Sequence, residues 1–326
     1  MPASLVAVAR TPWAPRHTAL DGSRPEHLLA AALGALVARA GIDPAEIDRV
    51  LVACDTSVGA QDLDLGRRAV AELGWSSTPA LTVDGHGVTG LALVALAAEL
   101  PGRTVVAGVD ASSMVPPGAG LVRDYGRPTL DEPEHRWLDA VAGTRGLDPA
   151  ALDAAAERAR QAPPVSNPAI VDLAPGVDTV ADVDPAEPFS PDGVVAPHHL
   201  APWADGAVAV LIGHDGGRPL DAASFDAMES DEAIDRLIAP SAATHLLVAD
   251  HTAVVAALAG ADSGVVASTL AIGSTPSCDG LRMLADAAAI LDGGFEVRTR
   301  GGHGQIASVV VGDGALVDAT KTDSPT

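Results

Sequence analysis

The chain is poor in aromatic side chains: Phe, Trp and Tyr together make up 2% of its 326 residues. That leaves little material for base-stacking platforms or aromatic cages. Cysteine is equally scarce. Cys54 and Cys278 are the only two, too few for a disulfide framework, and their spacing matches no metal-binding pattern. Positive charge is in deficit, with 20 Lys and Arg against 43 acids and a net charge of −23. Such a field repels phosphate backbones and anionic membranes, so no nucleic-acid or membrane partner is expected. The longest apolar run, Leu91 to Leu100, is too short to cross a bilayer. Met1 to Pro12 has no basic segment leading into an apolar one, and a cytoplasmic protein is expected.

What is present is a packed globular composition, 48% apolar and dominated by Ala, Val and Leu. The length suffices for one large domain or two fused units. Strand-like and helix-like segments alternate. Leu5–Ala9 reads as a strand and Pro25–Ala40 as a helix with apolar residues at helical spacing. Asp43-Pro44-Ala45-Glu46 opens a turn, with Asp43 as N-cap and Glu46 closing a capping box. Strands follow at Val50–Cys54, Ala80–Asp84 and Thr104–Gly108, separated by helices at Leu63–Leu73 and Val88–Leu100. A run of βαβ units predicts a mostly parallel sheet covered on both faces.

From about Ala119 to Pro202 the chain is rich in Pro, Asp and His, with one clear helix from Asp148 to Gln161. It reads as an inserted loop subdomain (119–202) between an N-terminal half (1–118) and a C-terminal half (203–326). In that second half the pattern predicts strands at Ala207–Ile212, Leu246–Ala249, Val265–Thr269, Phe295–Thr299 and Gln305–Val311. Helices are predicted near Glu229–Leu237, over Thr252–Leu258 and over Gly280–Leu291. The two halves repeat one pattern, as a duplicated α/β unit would.

Several segments resemble the thiolase family in order along nearly the whole chain. They are Val8-Ala9-Arg10-Thr11-Pro12, Ala40 to Asp48, Pro79 to Val83 with Thr89-Gly90-Leu91, and Gly108 to Met114. Further on come Arg145 to Gln161, Pro191 to Val195, Asp205-Gly206-Ala207, Ala271 to Arg282, and Gly301-Gly302-His303-Gly304. The resemblance implies a duplicated βαβαβ fold layered α-β-α-β-α, with the loop subdomain as the place where thiolases hold coenzyme A. The second half is shorter than usual, with material missing between Ile212 and Leu246.

The resemblance also locates the family's catalysts, and here the chain departs from it. The nucleophilic cysteine falls on Gly87, which has no side chain to acylate. The Gly-His-Pro histidine falls on Ser274, no general base at neutral pH. The second cysteine falls on Thr299, which has no useful titration. The Asn-Glu-Ala-Phe stretch falls on Ala249-Asp250-His251-Thr252, losing the asparagine and keeping an acid at Asp250. Thiolase chemistry by this chain alone is therefore not expected. His86, Asp250, His251, Cys278 and His303 are the remaining candidates for chemistry. Each has a plain alternative: His86 a loop histidine, Asp250 an N-cap, Cys278 a small buried residue at a helix start. His303, in a glycine loop that lets backbone approach a ligand, is the most suggestive. His198-His199 and His245/His251 lack metal-site spacing, so no metal is expected.

Two functions compete. One is a non-catalytic or accessory subunit of an acyl-thioester condensing complex, as a homodimer or paired with an intact thiolase- or ketosynthase-like protein. The other is a repurposed enzyme that makes or breaks a C–C bond, or transfers an acyl group, with His and Asp replacing Cys. No cofactor is required. A coenzyme A thioester or acyl carrier protein is the candidate ligand, with Arg123, Arg127, Arg158 and Arg160 of the loop subdomain as the candidate phosphate contacts.

Overall fold

The structure is a computed structural model that describes residues 2–116, 119, 134–161, 167–171, 173, 176–260 and 266–320, apart from the side chains of residues 86, 266–268 and 303. In chain order the elements are β1 (Ser4–Arg10), β2 (Ala14–Pro15), α1 (Pro25–Ala40), β3 (Arg49–Ala53), α2 (Leu65–Glu72), β4 (Ala80–Val83), α3 (Thr89–Glu99) and β5 (Thr104–Ala111). Then come α4 (Glu134–Thr144), α5 (Pro149–Gln161), β6 (Ala204–Gly213), β7 (Arg218–Ala227), α6 (Ser230–Ile238) and β8 (His245–Ala249). The chain ends with α7 (Ala253–Ala259), α8 (Val266–Ile272), α9 (Asp279–Ile290), β9 (Phe295–Arg300) and β10 (Gln305–Val311).

Local signals explain where these elements start and stop. Pro25 opens α1, and Gly41, at φ 64°, closes it by donating to the Val37 carbonyl. Asp43 and Glu46 form the expected reciprocal cap, on a single 3₁₀ turn.

The strands run β4-β3-β5-β6-β1-β7-β10-β9-β8, with β2 beside β6. Outward from the junction of β1 and β7, each half obeys one rule: first strand, last strand, penultimate strand, second strand. The first half adds its third strand, β4, at the edge. Among the described residues the two half-sheets pair through Ser4–Pro219 and Leu5–Arg218. Between them lie α3 and α9, whose residues share one core with the inner faces of both sheets. Helices α1 and α2 cover the outer face of the first half-sheet. Helices α5, α6 and α7 pack on the outer side of the second. The architecture is the duplicated α-β-α-β-α layering that the sequence implies.

Three expectations are corrected. The sheet is mixed, not mostly parallel: β3–β4, β3–β5 and β8–β9 are parallel, while β6 and β10 each run antiparallel to both neighbours. Strand β6, expected to open the C-terminal half, instead completes the first half-sheet between β1 and β5. Finally, the strand expected over Val265–Thr269 is helix α8 from Val266 onward, packed against α5. A short Val/Ala/Thr/Leu run has no periodicity that separates a strand from a buried helix, and packing decided. The long strand β7 and the helix α4 went unforeseen.

Strand β9 shows how residues set the sheet's faces. In Phe295-Glu296-Val297-Arg298-Thr299-Arg300 the odd positions pair with Ala307, Val309 and Val311 of the shared core. The even positions face the other way and make a polar layer, in which Arg298 binds Glu296 and the backbone carbonyls of Arg236 and Ala239.

The two central helices approach unusually closely. A Cβ on Gly90 would stand 2.8 Å from the Ser277 carbonyl oxygen and 2.9 Å from the Leu281 Cβ, and one on Gly280 would stand 2.8 Å from Leu91 Cγ. Gly90→Ala is therefore expected to destabilise the protein by about 1–3 kcal/mol, although alanine is the better helix former by ~1 kcal/mol. Urea-denaturation midpoints of the two forms check this; a more stable variant would contradict the packing.

Candidate functional site

The site lies where the start of α3, the start of α9 and the end of β9 meet. The turn His86–Val88 leads into α3, and Gly90 N–H donates to the Ser277 carbonyl across the gap. Gly87 sits against the end of β9. A Cβ placed there would be 2.9 Å from the Arg300 carbonyl oxygen and 3.6 Å from Gly301 Cα. A side chain at 87 would thus press on the Arg300 carbonyl, which would have to shift to admit it. Thr299 is buried and donates to the Ala249 carbonyl at 3.1 Å, with the Gly87 carbonyl at 3.4 Å. Gly87, Thr299 and the Pro276 carbonyl therefore converge on one point.

Ser274 is fully buried, bridged to Trp203, and its hydroxyl donates to Asp279 over 2.5 Å. Asp279 also accepts the Thr275 amide at 3.1 Å. Burial pushes the Asp279 carboxyl above its ordinary value, against Arg282 and these hydrogen bonds. Among the described residues the side-chain partner of Ser274 is the Asp279 carboxylate.

Cys278 lies inside the protein. It is the N-cap of α9 and fully buried, facing Ser277 at 3.3 Å, Asp110 at 3.8 Å and the Ala53 carbonyl at 4.0 Å. Burial and then the Asp110 carboxylate push its thiol well above the ordinary range. An activated cysteine needs the opposite shift. Cys54 lies on the other side of Asp110 at 3.8 Å and is raised in the same way.

Asp250 is equally committed. One oxygen accepts from the Thr252 amide (2.8 Å) and hydroxyl (2.7 Å), and the other from Arg300 Nε at 2.5 Å. Thr252, not Asp250, caps α7 by accepting from the Val255 amide. His251 directs Nε2 to Glu134 at 3.2 Å and stacks on Trp203. Glu134, at the start of α4, also receives Arg300 Nη2 at 3.2 Å. The Arg300 guanidinium lies 4.8 Å above the Trp137 ring. Burial works against the charge on His251, but Glu134 and Asp250 hold its pKa up at about 9. Desolvation works against the charge on Glu134, but His251 and Arg300 hold its carboxyl well below the usual range.

This ring of Glu134, His251, Arg300 and Asp250, with Trp137 and Trp203, is the polar feature that the sequence did not reveal. Asp250 and His251 were expected. Arg300 was legible as the neighbour of Thr299, but nothing in the Pro- and Asp-rich insertion singled out Glu134. The backbone of His86 lies in the turn before α3, and that of His303 in the turn Gly302–Gly304 before β10; their side chains are outside the described set. Arg123 and Arg127 also lie outside the described residues. Arg158 is exposed on α5, and Arg160 donates to the His198 carbonyl at 2.5 Å.

Asp153, His198 and His199 bring metal-type atoms within 4.8 Å of one another. Their hydrogen bonds argue for another role. His198 Nδ1 accepts the Ala186 amide and His199 Nδ1 the Ala196 amide, so each neutral ring carries its proton on Nε2. Both Nε2–H groups donate to Asp153 Oδ1 at 2.8 Å. A metal would need those same nitrogens bare; the trio ties α5 to the turn at Pro197–His199.

A duplicated, five-layered α/β protein with its site at the facing ends of two central helices is the class that fold and geometry define. Residues 3–107 match the family model "Thiolase, N-terminal domain". Two solved structures agree over almost the whole chain. One is human mitochondrial 3-ketoacyl-CoA thiolase, with TM-score 0.76, 16% identity, and 96% of this chain and 99% of that one covered. The other is the same human enzyme in complex with CoA, with TM-score 0.77, 15% identity, and 96% and 98% covered. No curated protein matches by sequence. The chain has the thiolase fold, and its residues 3–107 match the thiolase N-terminal model.

The His251 pKa gives a pH test. Its folded value, about 9, exceeds the unfolded 6.5, so the ion pair's contribution is complete below pH 6.5 and disappears as pH rises through 9. That contribution is on the order of 2–3 kcal/mol. Thermal melts should show wild type losing stability across this window, and Glu134→Gln starting lower with a flatter profile. Parallel profiles for the two proteins would refute the pairing.

Proposed function

We propose that this chain is a non-catalytic subunit of an acyl-thioester condensing assembly, paired with a second copy or with an intact thiolase- or ketosynthase-like chain. The observation that carries the reading is the closed position at Gly87. The nucleophile's place lacks a thiol, and the Arg300 carbonyl stands 2.9 Å from where its Cβ would be. The buried thiols of Cys54 and Cys278 do not compensate, because both are raised toward the protonated form.

Surface features support a partner. Strand β4 ends the sheet and leaves one edge unpaired. Leu81 on its inner face is 57% exposed, Leu96 on α3 48%, and Phe225 on the inner face of β7 49%. All three belong to the level of the central helices, where a second chain of the same fold would cover them. The loop subdomain is the proposed contact for a coenzyme A thioester, since the human enzyme was solved with CoA. Of the candidate phosphate contacts among the described residues, Arg158 is exposed and Arg160 is engaged already. No helix among the described residues is long and apolar enough to cross a membrane.

The repurposed-enzyme reading has less support. At neutral pH His251 is protonated and Asp250 is saturated, so neither is a ready general base.

Tagged full-length protein recovered from its native host should bring down a thiolase-fold partner. Alone, it should not cleave acetoacetyl-CoA. Gly87→Cys should form no acetyl adduct with acetyl-CoA by mass spectrometry, because backbone blocks the new side chain. Turnover by the isolated wild-type chain would overturn the reading.

A further inference from the structure

The ring at Glu134 has the construction of a carboxylate receptor with a carboxylate of the chain's own in it. Each oxygen of Glu134 meets one cation: Oε2 meets His251 Nε2 and Oε1 meets Arg300 Nη2, both at 3.2 Å. These contacts are at the long end for charge-assisted bonds. The cations are fixed from elsewhere. Asp250 grips Arg300 Nε at 2.5 Å, Trp137 lies under the guanidinium, and Trp203 stacks on the imidazole. Two of the four tryptophans in a chain with 2% aromatics stand here. Glu134 is the least enclosed member, its side chain 43% exposed against 8% for Arg300 and 19% for His251. Without Glu134 the clamp would hold two cations against Asp250, a local positive charge in a protein of net charge −23.

The clamp also borders the closed centre. The carbonyl of Arg300 is the atom against Gly87, and Trp203 bridges to Ser274.

We propose that His251 and Arg300, walled by Trp137 and Trp203, form a binding site for the carboxylate of a short dicarboxylic acyl ligand, and that Glu134 occupies it until the ligand displaces it. This rests on the reading of the region as a place for acyl thioesters. It adds the ligand's second, charged end. A preorganised pair of donors recognises a carboxylate by two-point hydrogen bonding, and the aromatic walls reinforce the cations. Displacement lowers apparent affinity by the fraction of time that Glu134 leaves the clamp.

The test uses full-length protein and the fluorescence of its tryptophans, with calorimetry alongside. Succinate and succinyl-CoA are titrated into wild type, Glu134→Ala, and Glu134→Ala combined with His251→Gln; acetyl-CoA and inorganic phosphate are controls. Glu134→Ala should bind one or both succinyl compounds about tenfold or more tighter than wild type. The added His251→Gln should remove that gain, and acetyl-CoA should show none. Binding of succinate alone identifies a free organic acid as the ligand; binding of succinyl-CoA identifies the thioester. Equal or absent binding in wild type and Glu134→Ala overturns the proposal, as does phosphate binding as well as succinate. Thermal melts of each variant establish that it is folded. Every readout is on the isolated chain, so failure here is separate from failure to capture a partner.

Discussion

Everything in this molecule is organised around the contact between α3 and α9. The helices meet through Gly90 and Gly280, each pressed against the other helix or its leading turn without room for a methyl group. That approach lets two half-sheets of similar topology stack on a single helical layer and share one core. It also brings the start of each helix to the end of β9. At that convergence the Arg300 carbonyl stands 2.9 Å from where a Cβ on Gly87 would be.

The polar groups around that convergence are tied to one another. Ser274 and Asp279 satisfy each other, Thr299 donates to a strand carbonyl, and Asp250 holds both the cap of α7 and Arg300. A group used this way gives up the freedom to move protons or attack a substrate. The same holds in the interior, where Asp110 sits between two thiols with Ser277 donating to it at 3.0 Å. Burial disfavours charge on all three and pushes each above its ordinary value. Farther out, Arg10 is buried between Asp178 and Asp286 and fastens the return of the insertion to the helix layer. Losing one partner of such a pair leaves a buried charge exposed to no water, the costly case for ion pairs.

Much of this was written in the sequence because it depends on near neighbours. Apolar spacing fixed α1, Asp43 and Glu46 fixed a turn, and the alternation in Phe295 to Arg300 fixed the two faces of β9. The absent side chain at Gly87 was legible in the same way, from well-matched flanks. Tertiary structure decided the rest. The direction of β6 depends on pairing with β1 and β5 across an insertion, which no local pattern encodes. The helical state of Val266–Ile272 depends on packing against α5. The raised Cys278 thiol depends on burial and on Asp110, 168 residues away in sequence. The ionic ring joins Glu134 to Arg300 across 166 residues. Composition and spacing report what each segment can do; only contacts between distant segments fix which charges are buried together, and those contacts determine what the site can bind.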